Sequence, residues 1–192
     1  YNSPFALRVI DSQNLFAAQG IGVVEAVRMR KSGESVQKIR ERLEELALNT
    51  HGYMVPPDLY YLRNRARTKG DRSVSLFSAA LGTALDIKPI LHCHRGETAP
   101  AGKIKGFEPA VQKLFDFTIE RIRAGLMTPT LCISYGGELA ELRALPGYAR
   151  LRDTCAANDV ELFESVMSLT GMVNVGKGAV VVGFAAGPHR FA

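Results

Sequence analysis

No apolar run in the 192 residues approaches the ~20 needed to cross a bilayer, so no membrane-spanning helix is expected. No basic segment followed by an apolar stretch opens the chain, so no secretory leader is expected either. Cysteine is scarce. Cys93, Cys132 and Cys155 are odd in number, lack metal-type spacing and sit among apolar or small residues. That excludes a disulfide framework and suits buried thiols in a reducing, cytoplasmic setting. No internal repeat or low-complexity tract occurs. The formal charge is a modest +5, much of it in residues 63–72 (RNRARTKGDR), with five cations and one carboxylate. A basic run of this kind can steer acidic partners. No aromatics interleave with the cations, which argues against a nucleic-acid surface. The chain opens on Tyr1, not Met, with a strand-like segment close behind, and is expected to come from inside a longer protein.

What is present is apolar residue in regular patterns. Hydrophobic residues make up 46%, enough for a sizeable core. Residues 6–10 (ALRVI) read as a buried strand ending in the turn Asp11-Ser12. Residues 20–30 carry Ile21, Val24 and Val27 at helical spacing, and Gly33 ends the helix. Ser35 is a good N-cap for a second helix with Val36, Ile39, Leu43, Leu46 and Ala47 on one face. Residues 51–59 read as extended, because Pro56 and Pro57 forbid a helix there. Residues 59–67 read as a short basic helix and 73–85 as a close-packed apolar one. Residues 87–93 form a strand, Gly96 turns the chain, and 102–105 return as a hairpin. Residues 107–123 are the clearest amphipathic helix, with Val111, Leu114, Phe115, Thr118, Ile119 and Ile122 on one face and Gly125 as the stop. Strands are expected at 130–134, 160–167 and 179–185. A helical stretch at 138–157 is broken at Pro146-Gly147. This pattern predicts a mixed sheet covered by helices.

Four stretches invite chemistry. Residues 170–183 (TGMVNVGKGAVVVG) nearly match a phosphate-binding loop, but Gly178 replaces the magnesium-ligating hydroxyl. The next residues, AVVVGFA, read as a strand, where such a loop needs a helix. The Gly-Lys-Gly turn can still bring backbone close to a ligand or to another strand. On a strand, His92 and His94 point to one face and could share a metal, yet no third ligand is near in sequence. Ser134-Tyr135-Gly136-Gly137 lacks the glycine of a nucleophile elbow and reads as a tight strand-to-helix turn. Asp11-Ser12 stands where ligands gather in open α/β sheets, although a turn role is equally open.

Taken in order, these stretches resemble the DegV family of bacterial fatty-acid-binding proteins. Val9-Ile10-Asp11-Ser12 with Gln19-Gly20-Ile21-Gly22 is similar to the family's strand-turn-glycine segment. Asp58-Leu59-Tyr60-Tyr61-Leu62 and Gly70-Asp71-Arg72-Ser73 resemble its next two motifs. Leu81-Gly82 followed by Ile87-Lys88-Pro89-Ile90-Leu91 is the most specific match. Lys103-Ile104-Lys105-Gly106 stands where the family has Lys-Val-Arg. Asn174-Val175-Gly176-Lys177-Gly178-Ala179 resembles its His-Val-Gly-Pro-Gly-Ala. The assignment is made for the C-terminal two-thirds of the chain.

The resemblance implies an α/β fold of the type called EDD. Residues 1–66 would be the remainder of a parallel-sheet α/β domain, and 67–192 a second α/β domain with a mixed sheet. It implies a non-catalytic lipid binder with no cofactor, holding a fatty acid such as palmitate or oleate between two domains. It also implies a cytoplasmic protein, a separate fatty-acid kinase as partner and peripheral contact with membrane. The ligand-binding positions it implies are Lys105, Asn174, Ser12 and Gly176. Lys105 replaces the family's arginine and supplies a point charge, not a bidentate fork. Asn174 replaces a histidine and donates without a titratable proton. Two rival readings stay open. One is a small hydrolase or phosphotransferase using Asp11, Ser12 and the glycine loop. The other is a regulatory interaction module using residues 63–72.

Overall fold

The computed structural model describes residues 7–58 and 86–192. A 3-10 turn (Phe16–Ala18) leads into helices α1 (Gln19–Lys31) and α2 (Val36–Asn49). Strands β1 (Thr50–Val55), β2 (Ile87–His94) and β3 (Glu97–Lys105) precede α3 (Phe107–Ala124). Then come β4 (Thr130–Tyr135), α4 (Leu139–Ala144), α5 (Tyr148–Ala157), β5 (Glu161–Val166), α6 (Leu169–Val175) and β6 (Val180–Ala185). The expected helices at 59–67 and 73–85, the basic run at 63–72 and the motifs at 70–73 and 81–82 lie outside the described residues.

The strands form one six-stranded mixed sheet in the order β3-β2-β1-β6-β4-β5. β4 and β5 pair in parallel, and the other pairings are antiparallel. β1 bonds to both β2 and β6, so the division expected at residue 66 falls between two strands of a single sheet. β6 is buried along its whole length. Its side chains alternate between two cores: Val180, Val182 and Phe184 on one face, Val181 and Ala185 on the other. A strand buried on both faces reads as a continuous apolar run, which is how AVVVGFA reads.

α3 covers the first face, and Val111, Leu114, Phe115, Thr118, Ile119 and Ile122 are all buried, as the periodicity predicts. Gly106 and Gly125 bound it at positive φ, 86° and 96°, where a side chain would be strained. α1 and α2 cover the second face through Ile21 and Leu46. Ser35 caps α2, its Oγ accepting the Lys38 N–H at 3.2 Å. The two helices are tied by a buried charge. The Glu25 carboxylate receives Arg28 Nη1 at 2.7 Å and Arg42 Nε at 3.2 Å. Arg42 also donates to the Met127 carbonyl at 2.6 Å, and Arg28 to Thr130 Oγ1 at 3.0 Å, which fastens the pair to the entry of β4.

Three expectations need correction. Residues 7–10 are not a strand: Leu7 is 70% and Val9 87% exposed. A strand needs a ladder partner, and none is paired with this segment among the described residues. Val27 and Val36, placed on apolar helix faces by spacing, point to solvent. Residues 169–175, expected as part of a loop, are helix α6. Its Ser168 Oγ caps the Gly171 N–H at 3.2 Å.

The closest approach in the second face sits on two glycines. Gly52 of β1 and Gly183 of β6 are direct cross-strand partners. Ala18 rests on them. A Cβ built on Gly183 would stand 2.4 Å from the Ala18 Cα and 2.7 Å from its nitrogen. Both obstructing atoms are backbone, so the turn itself would have to move. Gly183→Ala is therefore expected to lose about 1–3 kcal/mol of stability in urea unfolding. Gly187→Ala, which meets nothing within 4 Å, is expected to leave the midpoint unchanged. Equal midpoints for the two variants would show that the turn is not seated as described.

Candidate functional site

Because Ala18 is seated on the glycine pair, α1 runs low across the sheet. Gly20 allows this too: a Cβ there would lie 3.1 Å from Cys132 Sγ. A helix held this low leaves a groove on each flank. The first, about 490 Å³, lies between α1 and the β4–β5 edge. Phe16, Val23, Val24, Cys132, Phe163 and Met167 make its apolar walls, and Ser134, Ser165 and Ser168 line it as well. The second, about 480 Å³, lies between α1 and α2 and is lined by Ile10, Ser12, Val27, Leu43, Leu46 and Thr50.

The serines of the first groove differ in their bonding. Ser165 Oγ donates to the Ile133 carbonyl at 3.2 Å, and Ser168 Oγ is the α6 cap. Ser134, 5% exposed, has no hydrogen-bond partner for its Oγ among the described residues. A buried hydroxyl left unpaired is costly, so its place on a groove wall suits a polar group brought by a ligand. The sequence placed Ser134 at a strand-to-helix turn and drew no binding role from it. The signal that could have found it is the β period, which puts Ser134 on the same face as Cys132.

Of the four residues implied as ligand-binding, the structure brings Asn174 and Gly176 close together and sets the other two apart. The register places Lys105, Val55, Val180, Tyr135 and Val166 at one end of the sheet. Lys105 ends β3 and is exposed. Asn174 lies on α6, its Nδ2 donating to the Thr170 carbonyl at 2.8 Å. Gly176 terminates that helix at φ 95°, its N–H on the Met172 carbonyl at 2.8 Å. From β3 to β6 is three strand spacings, roughly 14 Å. Lys105 and the α6–β6 turn thus flank one end of the sheet without touching. Ser12 stands at the opposite end, beside Thr50, with its Oγ on the Asn14 carbonyl at 3.3 Å. Asp11 accepts the Gln13 N–H at 2.9 Å, a local turn.

The phosphate-loop string is also resolved. Helix α6 precedes the Gly-Lys-Gly turn and strand β6 succeeds it, the reverse of the strand-to-helix order that aims amides at a phosphate. The glycines serve a close backbone–backbone approach within the chain instead. Gly178 N–H donates to the Gly136 carbonyl at 2.8 Å, and Gly136 N–H to the Ala179 carbonyl at 2.9 Å. A Cβ on Gly136 would come within 2.9 Å of Gly178 N. Among the described residues no helix is long and apolar enough to cross a membrane.

Comparison with known proteins gives a consistent picture. A family model described as "Uncharacterised protein, DegV family" matches residues 2–187, wider than the C-terminal two-thirds expected. A DegV domain-containing protein of Xanthomonas axonopodis pv. citri is 69% identical over 191 residues, which is all of this chain and 61% of the relative. One from Xanthomonas campestris pv. campestris is 68% identical over the same lengths. The chain thus spans about three-fifths of these relatives. Among solved structures it resembles DegV, a fatty acid binding protein from Bacillus subtilis, at TM-score 0.70 and 22% identity, covering 93% of this chain and 60% of that one. It also resembles a stearic acid-binding protein from Eubacterium ventriosum at TM-score 0.67 and 17% identity, covering 92% and 58%.

The thiols offer a check on how closed these faces are. Burial pushes Cys132 up to about 12, with the Glu161 carboxylate adding to it. Burial likewise pushes Cys93 and Cys155 up to about 11. Thiolate is the reactive form, so all three are expected to resist Ellman's reagent near pH 8 in the native protein and to react at once in urea. Peptide mapping of alkylated protein would identify them. Rapid native labelling of Cys132 would show that α1 does not cover β4.

Proposed function

This chain belongs to the DegV family, and from that premise we propose that it holds the acyl tail of a long-chain fatty acid in the groove between α1 and the β4–β5 edge. In the complete protein the carboxylate is presented to a separate kinase, and the chain itself acts as a binder. The observation that carries this reading is the groove's composition: apolar walls along most of its length and an unpartnered buried hydroxyl at Ser134. Its volume of about 490 Å³ falls within the range of about 300–1,000 Å³ usual for small-molecule sites. Each methylene removed from water contributes about 0.8 kcal/mol, so tail length dominates affinity. The fatty acids bound by the Bacillus and Eubacterium proteins support the same ligand class here.

The head group is assigned to the sheet end that holds Ser134, Ser168 and the α6–β6 turn. Asn174 and Gly176 stand there, while Lys105 lies on the opposite edge strand, roughly 19 Å from β4. At that separation the exposed lysine acts only as a screened, long-range charge, and the hydroxyl and amide donors hold the carboxylate. Ser12 belongs to the second groove, at the far end of the sheet.

The test uses the full-length protein. Lipids extracted after purification are expected to contain a long-chain fatty acid, and delipidated protein is expected to take up palmitate or oleate. Phe163→Asp, on the wall of the first groove, should weaken uptake at least about tenfold by placing a charge against the tail. Val27→Asp, in the second groove, should leave it unchanged. Ser134→Ala should weaken it by roughly two- to tenfold, the worth of one hydrogen bond. Absence of any copurified acid together with no uptake of either probe would overturn the reading. Loss with Val27→Asp but not with Phe163→Asp would move the tail to the other groove.

A further inference from the structure

The chain has four histidines, and all four meet on the α3 side of the sheet, away from both grooves. His51 lies on β1, His92 and His94 on β2, and His189 on the segment after β6. The rings of His51 and His94 stack with centroids 4.1 Å apart, and those of His51 and His92 at 5.2 Å. One nitrogen from each of these three can be chosen so that all lie within 4.8 Å of one another. We propose that His51, His92 and His94 bind a divalent transition-metal ion of the zinc class through their imidazole nitrogens.

The hydrogen bonds orient the donors for this. His94 Nδ1 faces the Thr50 carbonyl at 3.0 Å. A carbonyl can only accept, so that nitrogen carries the proton and Nε2 keeps its lone pair. His51 Nε2 faces the Ala186 carbonyl at 3.3 Å, which leaves the Nδ1 lone pair toward His92. His51 Nδ1 and His92 Nε2 are 2.9 Å apart. In the metal-free protein His92 Nε2–H therefore donates to His51. Moving that proton to His92 Nδ1 frees the third lone pair with no net change of charge. Backbone carbonyls fixing the outer nitrogen are the usual support of metal-bound histidine. The three rings are parallel to within 9°, so binding requires them to turn until their lone pairs converge, with Zn–N bonds of about 2.0–2.1 Å and donors about 3.3 Å apart.

The surroundings select the kind of ion. Among the described residues no carboxylate belongs to the cluster. Neutral imidazoles suit zinc, nickel or copper and reject magnesium and calcium, which require oxygen ligands. His189 is engaged elsewhere, its Nδ1 on the Gly187 carbonyl at 2.7 Å and its Nε2 on the Tyr53 hydroxyl at 3.1 Å. The fourth coordination position is thus left to water. The ion would clamp β1 to β2 and, through the Ala186 carbonyl, hold the segment leaving β6.

Tag-free full-length protein would be dialysed against Zn2+ and its metal content measured. His92→Gln and His94→Gln are each expected to lose one equivalent relative to wild type, while Cys93→Ser, whose thiol lies on the opposite face, loses none. Zinc-edge absorption on the wild type, which needs no variant to fold, should show imidazole nitrogen at about 2.0–2.1 Å and no sulfur. Unchanged zinc in both histidine variants, a zinc–sulfur signal, or displacement by Mg2+ would overturn the proposal. So would failure to retain Zn2+, Ni2+ and Cu2+ alike.

Discussion

The seating of Ala18 on the Gly52–Gly183 pair governs much of this molecule. Across the middle of the sheet, Cys93, Gly52, Gly183 and Cys132 stand in one row over four strands, all of them small. A row of small residues makes a shallow trough, and the 3-10 turn lies in it. Asn14 holds the turn there, its Nδ2 donating to the Thr50 carbonyl at 2.9 Å and the Cys93 carbonyl at 3.1 Å. Larger side chains in that row would lift α1 away from the sheet. The grooves on its flanks would then open into ordinary surface.

The two faces of the sheet carry different chemistry as a result. On the α1 side the row beneath the turn is small, with Ile21, Leu46 and Leu91 filling the core around it, and the helix packs near the backbone. On the α3 side the residues are large: Tyr53, Phe115, Phe117 and Phe184, with the histidines continuing the aromatic layer. Close-packed aromatic rings fill volume and leave little room for an acyl chain. A thin layer of small side chains beneath a low helix leaves room at its margins. The lipid reading therefore attaches to the α1 face and the metal reading to the α3 face.

Much of this was legible in the sequence, and the exceptions have physical causes. α3 was readable because eighteen residues with an unbroken period specify one buried face. The strands were readable from short β-branched runs between glycines. α6 was not, because glycine lowers helix propensity and Gly171 sits inside it. Its reason is tertiary: a Cβ there would meet Met167 Cγ at 2.6 Å and Phe16 Cε1 at 3.1 Å. Residues 7–10 misled in the opposite direction, since an apolar run carries no information about whether a partner strand exists. The His92–His94 pair was visible from the two-residue period, but His51 is 41 positions away from His92 and joins it only through the β1–β2 register. In the ligand-binding set, Asn174 and Gly176 kept company because they are near in sequence. Lys105 and Ser12 were separated by topology that no local pattern encodes.

The polarity of the first groove sets a direction for its ligand. Ser134 pairs in register with Ser165, and Ser168 comes two residues after β5, so the hydroxyls gather toward the end where β4 and β5 finish. Cys132 and Phe163, two positions back on the same strands, belong to the apolar part. A single-chain acid has one polar end, and burying its carboxylate among apolar walls would forfeit hydration without replacing it. On the proposed reading the carboxylate lies at the β4–β5 exit and the methyl end toward the start of those strands. The α6–β6 turn stands at that exit, whereas Lys105 ends β3 at the opposite edge of the sheet. The histidine cluster, anchored at Thr50, lies on the other face and toward the other end. Occupying one site therefore leaves access to the other unchanged, and any coupling between them would have to pass through the β1–β6 ladder they share.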